Sequence, residues 1–159
     1  MSVEFVEISR DDARAAALYA EFIREADGPL DPELVDVEAE IAAGPPYDLV
    51  APDGVLLLGL TGGEPAALGG VRHLDTAIAE IKSMYVVPEH RGEGLGGAII
   101  VELERIARER GCRAVRLDTS AYLEPAVALY RSAGYGEVPD YNGNRKADLW
   151  FERQLSGPG

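Results

Sequence analysis

Cysteine is almost absent from this chain: Cys112 stands alone, which excludes an intramolecular disulfide. Histidine is nearly as scarce, limited to His73 and His90. No Cys/His cluster has the spacing of a structural zinc site, so no metal is expected. No apolar run approaches the roughly 20 residues of a membrane span. The opening Met1-Ser2-Val3-Glu4-Phe5 lacks the basic region and apolar core of a signal peptide, and the expectation is a cytoplasmic protein. Positive charge is in deficit, with 15 Lys and Arg against 28 Asp and Glu, a net charge of −13. A field of that sign repels nucleic-acid phosphates and anionic lipid, so neither is an expected partner. It suits a cationic substrate.

What is present is enough apolar material, 47% of 159 residues, for one domain with a substantial core. Residues 3–8 read as a strand. Ser9 or Asp11 can cap a helix to about Ala26, with Ala13, Ala16, Ala17, Ala20 and Ile23 as its inner stripe. Pro32 opens a second helix, with Leu34, Val35, Val37 and Ile41 inward, that Gly44-Pro45-Pro46 stops. Residues 47–50 and 55–60 read as strands, the second apolar enough to be buried on both faces. Thr61-Gly62-Gly63-Glu64 is a hairpin turn. Strands at 66–74 and 78–87 follow. A helix then runs to about Arg110, with Gly111 closing it. Beyond lie a strand at 114–119, a short helix opened by Pro125, and strands at 135–138 and 147–154. Residues 1–155 thus form one domain, and 156–159 read as a disordered tail.

The most informative stretch joins the 78–87 strand to the long helix. Pro88 stops the strand, and Arg91-Gly92-Glu93-Gly94-Leu95-Gly96-Gly97 follows. Glycines let the backbone turn tightly and approach a ligand. The amides of the new helix's first turn lack partners within the helix and sit at the positive end of its dipole, with Arg91 beside them. This is an anion cradle, with phosphate its natural guest. The residues formally match the dinucleotide fingerprint G-x-G-x-x-G, with Asp118 as its acid. That reading fails because four residues separate the loop from its strand, few strands remain after it, and Glu93 would face a pyrophosphate. A Walker A loop fails for want of Gly-Lys-Ser/Thr.

Read instead as Arg91-x-x-Gly94-x-Gly96 after Val-x-Pro, the loop resembles the pyrophosphate loop of the GCN5-related N-acetyltransferase (GNAT) family. Residues 79–86 resemble that family's central strand. Ala126-x-x-Leu129-Tyr130-x-x-x-Gly134-Tyr135 resembles a further family segment, in matching order and separation. The resemblance runs from about Ala66 to Phe151. It implies an α/β domain with a mixed, mostly antiparallel twisted sheet of six to seven strands, flanked by about four helices. It implies transfer of an acetyl group from acetyl-CoA, as co-substrate, to a primary amine, by direct attack in a ternary complex; the acidic first two helices suggest that the amine belongs to a small cationic molecule. A homodimer is compatible with it. By the resemblance, the main chain of Met84, Tyr85 and Val86 bonds the pantetheine arm and polarises the thioester. Residues Arg91, Gly92, Glu93, Gly94, Leu95, Gly96 and Gly97 hold the pyrophosphate.

An amine attacks only when neutral, so a base must take its proton. The resemblance offers Glu80 on the central strand, with Asp118 on the next strand as competitor. Blander roles exist: Glu80 pairing with Lys82, and Asp118 ordering the turn at Thr119-Ser120. Tyr130 is the candidate acid for the departing thiolate, against an ordinary half-buried helix tyrosine. Relatives often carry a polar residue seven positions before that tyrosine; here it is Leu123, and that contact is not carried over. His90 reads as a phosphate-adjacent surface group, and Cys112 as remote from the chemistry. Glu21, Glu25, Asp27, Asp31, Glu33, Asp36, Glu38 and Glu40 form either a solvated face or an acidic wall over the acceptor groove. A non-catalytic acyl-CoA-binding module, another acyl group, or a hydroxyl acceptor are the alternatives.

Overall fold

Gly62 and Gly63 take φ of 58° and 81°, the left-handed pair of a two-residue hairpin that follows the natural twist of its strands. They join β2 (Gly54–Thr61) to β3 (Glu64–His73). From this hairpin the computed structural model, which describes residues 2–155, builds a seven-stranded sheet. The remaining strands are β1 (Val3–Glu7), β4 (Ile78–Val86), β5 (Ala114–Thr119), β6 (Gly136–Val138) and β7 (Leu149–Gln154), in the order β1-β2-β3-β4-β5-β7-β6. Only β4 and β5 run parallel; every other pair is antiparallel.

Among the described residues four α-helices cover it: α1 (Ala13–Ala26), α2 (Val37–Ala43), α3 (Leu95–Glu109) and α4 (Glu124–Ser132). One face of the sheet packs Ile81, Val115, Leu117 and Phe151 against Ile99, Ile100 and Leu103 of α3 and Tyr130 of α4. The other packs Leu56, Leu58, Leu68 and Tyr85 against Leu18, Tyr19 and Ile23 of α1. β2 is buried along nearly its whole length, as its unbroken apolar run requires. No described helix is long and apolar enough to cross a membrane.

Three local expectations are corrected. The buried stripe of α1 is Ala15, Leu18, Tyr19, Ile23 and Ala26, while Ala13, Ala16 and Ala17 face outward. The larger side chains decide the face because burial energy scales with apolar area, and Asp12 is the cap. The second helix starts at Val37, because the Asp36 carboxylate accepts from the Ala39 amide and caps it there. Residues 47–50 are turns, not a strand. Leu49 sits fully buried on the sheet where Gly70 leaves room; a Cβ at Gly70 would lie 2.6 Å from it. The disordered tail expected at 156–159 lies outside the described residues.

Two irregularities prepare the site. β3 and β4 change register between Leu68 and Gly70, which face Tyr85 and Lys82. The extra β4 residue is accommodated at Ser83, held at φ 58°, a left-handed bulge that re-aims the strand's side chains. Secondly, β4 and β5 pair only from Ile78↔Ala114 to Glu80↔Arg116. Beyond that rung β4 runs on with no β5 partner, and the sheet is open.

Candidate active site

The opening between β4 and β5 floors a cavity of about 630 Å³ that runs from the glycine loop to the α1 face of the sheet. At the loop end, a single 3-10 turn (Pro88–His90) ends at Arg91. Gly92 and Gly94 then both take φ of 84°, a conformation that only glycine adopts without strain. Gly94 is the N-cap of α3 and offers no side-chain acceptor, which leaves the first-turn amides at the positive end of the helix. A Cβ at Gly92, Gly94 or Gly97 would meet nothing within 4 Å, so the backbone lies bare to the cavity. Gly96 differs: its Cβ would stand 2.6 Å from Leu129, so it serves the α3–α4 contact as well.

Met84, Tyr85, Val86, Arg91, Gly92, Gly94, Leu95, Gly96 and Gly97 all line the cavity. Glu93 is outside that lining; its carboxylate accepts from the His90 ring at 3.0 Å. Arg91 is anchored rather than loose, donating from Nε to the Val86 carbonyl at 2.9 Å and to Glu25 at 2.6 Å.

Tyr130 reaches the same cavity from α4, its ring between Tyr135 and Phe151. Burial, then the charge of Asp118, pushes its phenol well above the ordinary tyrosine range. Its hydroxyl has no hydrogen-bond partner among the described residues. The phenol is thus a neutral, unengaged donor that can give a proton into the cavity, while its raised pKa makes it a weaker acid than an exposed tyrosine.

The two carboxylates differ in access. Glu80 is fully buried and is not part of the cavity lining. Arg72 of β3, opposite in register, donates to its Oε1 from Nε at 3.1 Å and Nη2 at 2.8 Å. Tyr141 and Asn142 donate to its Oε2 at 2.5 and 3.2 Å. Its strand neighbour Lys82 is not its partner. Asp118 lines the cavity, accepting from Asn142 at 2.6 Å and Asn144 at 3.2 Å, with Lys82 Nζ at 4.0 Å. Residues 139–144 are therefore a cover over both acids, shaped by the Asp140 carboxylate accepting from the amides of Asn142 and Gly143.

The sequence offers no individual role for Arg72 or Trp150, and places Tyr141 and Asn142 only within the loop at 139–144 that bears on acceptor choice. A lone arginine closing the otherwise apolar run of β3 was a signal for the first. Asp140-x-Asn142-Gly143-Asn144 was a turn signal for the loop, but not for where its amides point. Cys112 lies away from this chemistry, buried, with its Sγ 3.5 Å from His73 Nδ1.

The acidic helices contribute less than their composition suggests. Of their eight carboxylates only Glu25, Asp27 and Glu40 line the cavity. Glu25 faces Arg91, while Asp27 and Glu40 lie 3.1 and 3.9 Å from Lys146 Nζ. Tyr122 donates its hydroxyl to the Ala26 carbonyl and, with Lys146, ties the end of α1 across the cavity.

The sequence profile described as the Acetyltransferase (GNAT) family matches residues 15–135. The Escherichia coli protein named uncharacterized N-acetyltransferase YjgM is 35% identical over 82 residues, 50% of this chain and 48% of that protein. The match spans 48% of that relative and 37% of the Sus scrofa thialysine N-epsilon-acetyltransferase, so the chain spans about half or less of the length of these two curated relatives. A Klebsiella pneumoniae structure assigned as an acyl-CoA N-acyltransferase superposes with a TM-score of 0.76 at 25% identity, over 97% of this chain and 98% of that one. The Thermoplasma acidophilum PaiA N-acetyltransferase, solved with coenzyme A, shares the fold at a TM-score of 0.76 and 18% identity, over 98% of this chain and 100% of its own.

Proposed function

The chain belongs to the GNAT acetyltransferase family, and from that premise we propose that it moves an acetyl group from acetyl-CoA to the primary amine of a small molecule, by direct attack in a ternary complex. One observation carries the reading: a continuous cavity joins a bare glycine loop to a charged pocket through the opened β4/β5 seam, with the unpartnered Tyr130 hydroxyl on its wall.

The fit for coenzyme A rests on the loop. Gly92, Gly94 and Gly97 offer main-chain surface with no side chain in the way, and the free amides of α3 suit a pyrophosphate. Acetyl-CoA supplies the acyl group as a thioester. Met84, Tyr85 and Val86 line the cavity, and a main-chain N–H among them polarises the thioester carbonyl as its oxygen gains charge. A carboxylate takes one proton from the ammonium, the neutral nitrogen bonds to the carbonyl carbon, the carbon–sulfur bond breaks as Tyr130 gives its proton to the leaving sulfur, and the second proton that the acylated nitrogen sheds restores the tyrosine. Exposure to the cavity supports Asp118 for direct contact with the amine. Glu80 reaches it only through Asn142, or when residues 139–144 lift.

The cavity is lined by four carboxylates, Glu25, Asp27, Glu40 and Asp118, and four cations, Arg72, Lys82, Arg91 and Lys146. The attraction for a cationic acceptor thus comes down to the ammonium of the reacting amine. A non-catalytic acyl-CoA module would need the loop but not the free tyrosine. Thiol release from acetyl-CoA across a panel of amines tests the proposal; tight acetyl-CoA binding with no amine acetylated would overturn it.

A further inference from the structure

Three of the four cations lining the cavity already hold hydrogen-bonded carboxylates. Arg72 holds Asp48 and Glu80, Arg91 holds Glu25, and Lys146 holds Asp27. Lys82 is the exception. It makes no hydrogen bond within the described residues, and its nearest carboxylate, Asp118, is 4.0 Å away, beyond hydrogen-bonding distance. Asp118 is engaged from its other side by Asn142 and Asn144. An ammonium with three donors thus stands in the cavity wall without an acceptor.

The position is as telling as the vacancy of its donors. Glu80↔Arg116 is the last paired rung of β4 and β5. Two residues further along each strand are Lys82 and Asp118, the first same-face residues past the point where the strands part. They confront each other across the mouth of the opening, immediately before Ser83 and Met84 of the bulge. Tyr19, Phe22 and Ile23 of α1 line the cavity over this sheet face.

We propose that Lys82 and Asp118 form a two-point receptor for an α-amino carboxylate: Lys82 takes the acceptor's carboxylate, Asp118 takes its amine, and the α1 wall takes an apolar side chain. In an α-amino acid, ammonium and carboxylate hang from one carbon. A cation and an anion side by side in the cavity lining, the ammonium with no hydrogen-bond acceptor among the described residues and each carboxylate oxygen with one amide donor, are the complement of that arrangement. The balance of the lining agrees: four cations against four carboxylates, in a chain of net charge −13, suits a zwitterion better than a polyamine. The inference rests on the transferase reading above and narrows its acceptor.

The test compares L-phenylalanine and L-leucine with their carboxamides and their decarboxylated amines, by thiol release from acetyl-CoA. A charge-assisted contact to the carboxylate predicts that kcat/KM for the acids exceeds that for amides and amines by about tenfold or more. The difference should lie mainly in KM. Lys82→Met should bring the ratio of acid to amide to about one, and Lys82→Arg should retain a preference. Stabilisation by acetyl-CoA in Lys82→Met shows that the variant is folded. The proposal is overturned if decarboxylated amines are preferred by the wild type, or if Lys82→Met lowers acid and amide alike. Amines acetylated without amino acids would sink this inference and leave the transferase reading standing. No amine acetylated, with acetyl-CoA bound, would sink both.

Discussion

Glu80 and Asp118 are joined by a single side-chain amide. Nδ2 of Asn142 donates to Glu80 Oε2 at 3.2 Å and to Asp118 Oδ2 at 2.6 Å. Its Oδ1 accepts from Trp150 Nε1 at 2.9 Å and from the Asn144 amide at 3.0 Å. Every hydrogen-bonding position of the amide is used, and turning it over would set its oxygen against two carboxylates. One exposed loop residue thus couples the buried acid to the accessible one.

Asn142→Asp is therefore expected to be worse than Asn142→Ala, although aspartate is the closer shape. The alanine variant loses contacts worth about 1 kcal/mol each net, discounted for exposure to about 1–2 kcal/mol in all. The aspartate variant adds a third negative charge against Glu80 and Asp118. Denaturant midpoints measure the order, and equal midpoints would show that the loop does not bridge the acids in solution.

The two acids should separate by the kind of damage their loss does. Asp118→Asn keeps the shape and removes the cavity-facing base, so kcat/KM should fall by about 10²–10⁴; because its amide NH2 replaces one of the oxygens that accept from Asn142 and Asn144, a stability loss of about 1 kcal/mol accompanies it. Glu80→Gln weakens the ion pair with Arg72, which Asp48 still partners. Breaking a fully buried pair costs about 3–5 kcal/mol; Arg72 is partly exposed, so about 2 kcal/mol is expected here. A variant of Glu80 that is stable but inactive, beside an active Asp118→Asn, would move the base to Glu80.

The cradle is best probed at Gly97, which faces open cavity, rather than at Gly96, which also packs on Leu129. Replacing a helical glycine gains about 0.5–1 kcal/mol, and an acid in the first turn suits the dipole. Gly97→Glu should thus melt no lower than wild type alone. Acetyl-CoA at 100 times its dissociation constant adds about 2.7 kcal/mol to the wild type; the variant should show no such gain. Undiminished stabilisation would place the pyrophosphate elsewhere.

The sequence was most legible where backbone needs and periodicity dictate residue type. Gly62-Gly63 marked the hairpin, β5 fell on residues 114–119 as its apolar run required, and Pro88 with the glycines marked the loop. It was least legible where contacts cross the sheet. Glu80 was weighed against Lys82, its neighbour along the strand, but pairs with Arg72, its neighbour across the ladder. Which residues stand opposite depends on register: the turn closed by the Leu74 amide and the Ile78 carbonyl sets it at Glu80, and beyond Lys82 it is reset by a bulge at Ser83, a residue type that does not announce a left-handed backbone. The acidic helices show the same limit. Composition counts carboxylates, but only the fold shows that Asp27 and Glu40 face Lys146, more than a hundred residues along the chain.

Tyr130 offers the sharpest test, because its hydroxyl contributes chemistry without holding structure. The ring packs against Tyr135 and Phe151, while the oxygen bonds nothing among the described residues. Tyr130→Phe keeps the packing and removes only the donor, so neutral-pH stability should hardly move. General acid catalysis is worth about 10²–10⁴ in rate. A thiolate leaves more readily than an alkoxide, its thiol pKa being about 8.5 by analogy with cysteine, so a loss near 10²-fold in kcat is expected. The loss should shrink for an acyl donor with a more acidic thiol, and acetyl-CoA affinity should be unchanged. Alkaline titration supplies a control on the same side chain. Burial and Asp118 raise the folded phenol above its unfolded value near 10, so between those two values the folded state holds a proton that the unfolded state has lost. Stability therefore falls as pH rises above about 10, and it should fall less steeply in Tyr130→Phe. A Phe variant with wild-type turnover and the shallower alkaline slope would leave Tyr130 buried as described but no acid in the reaction.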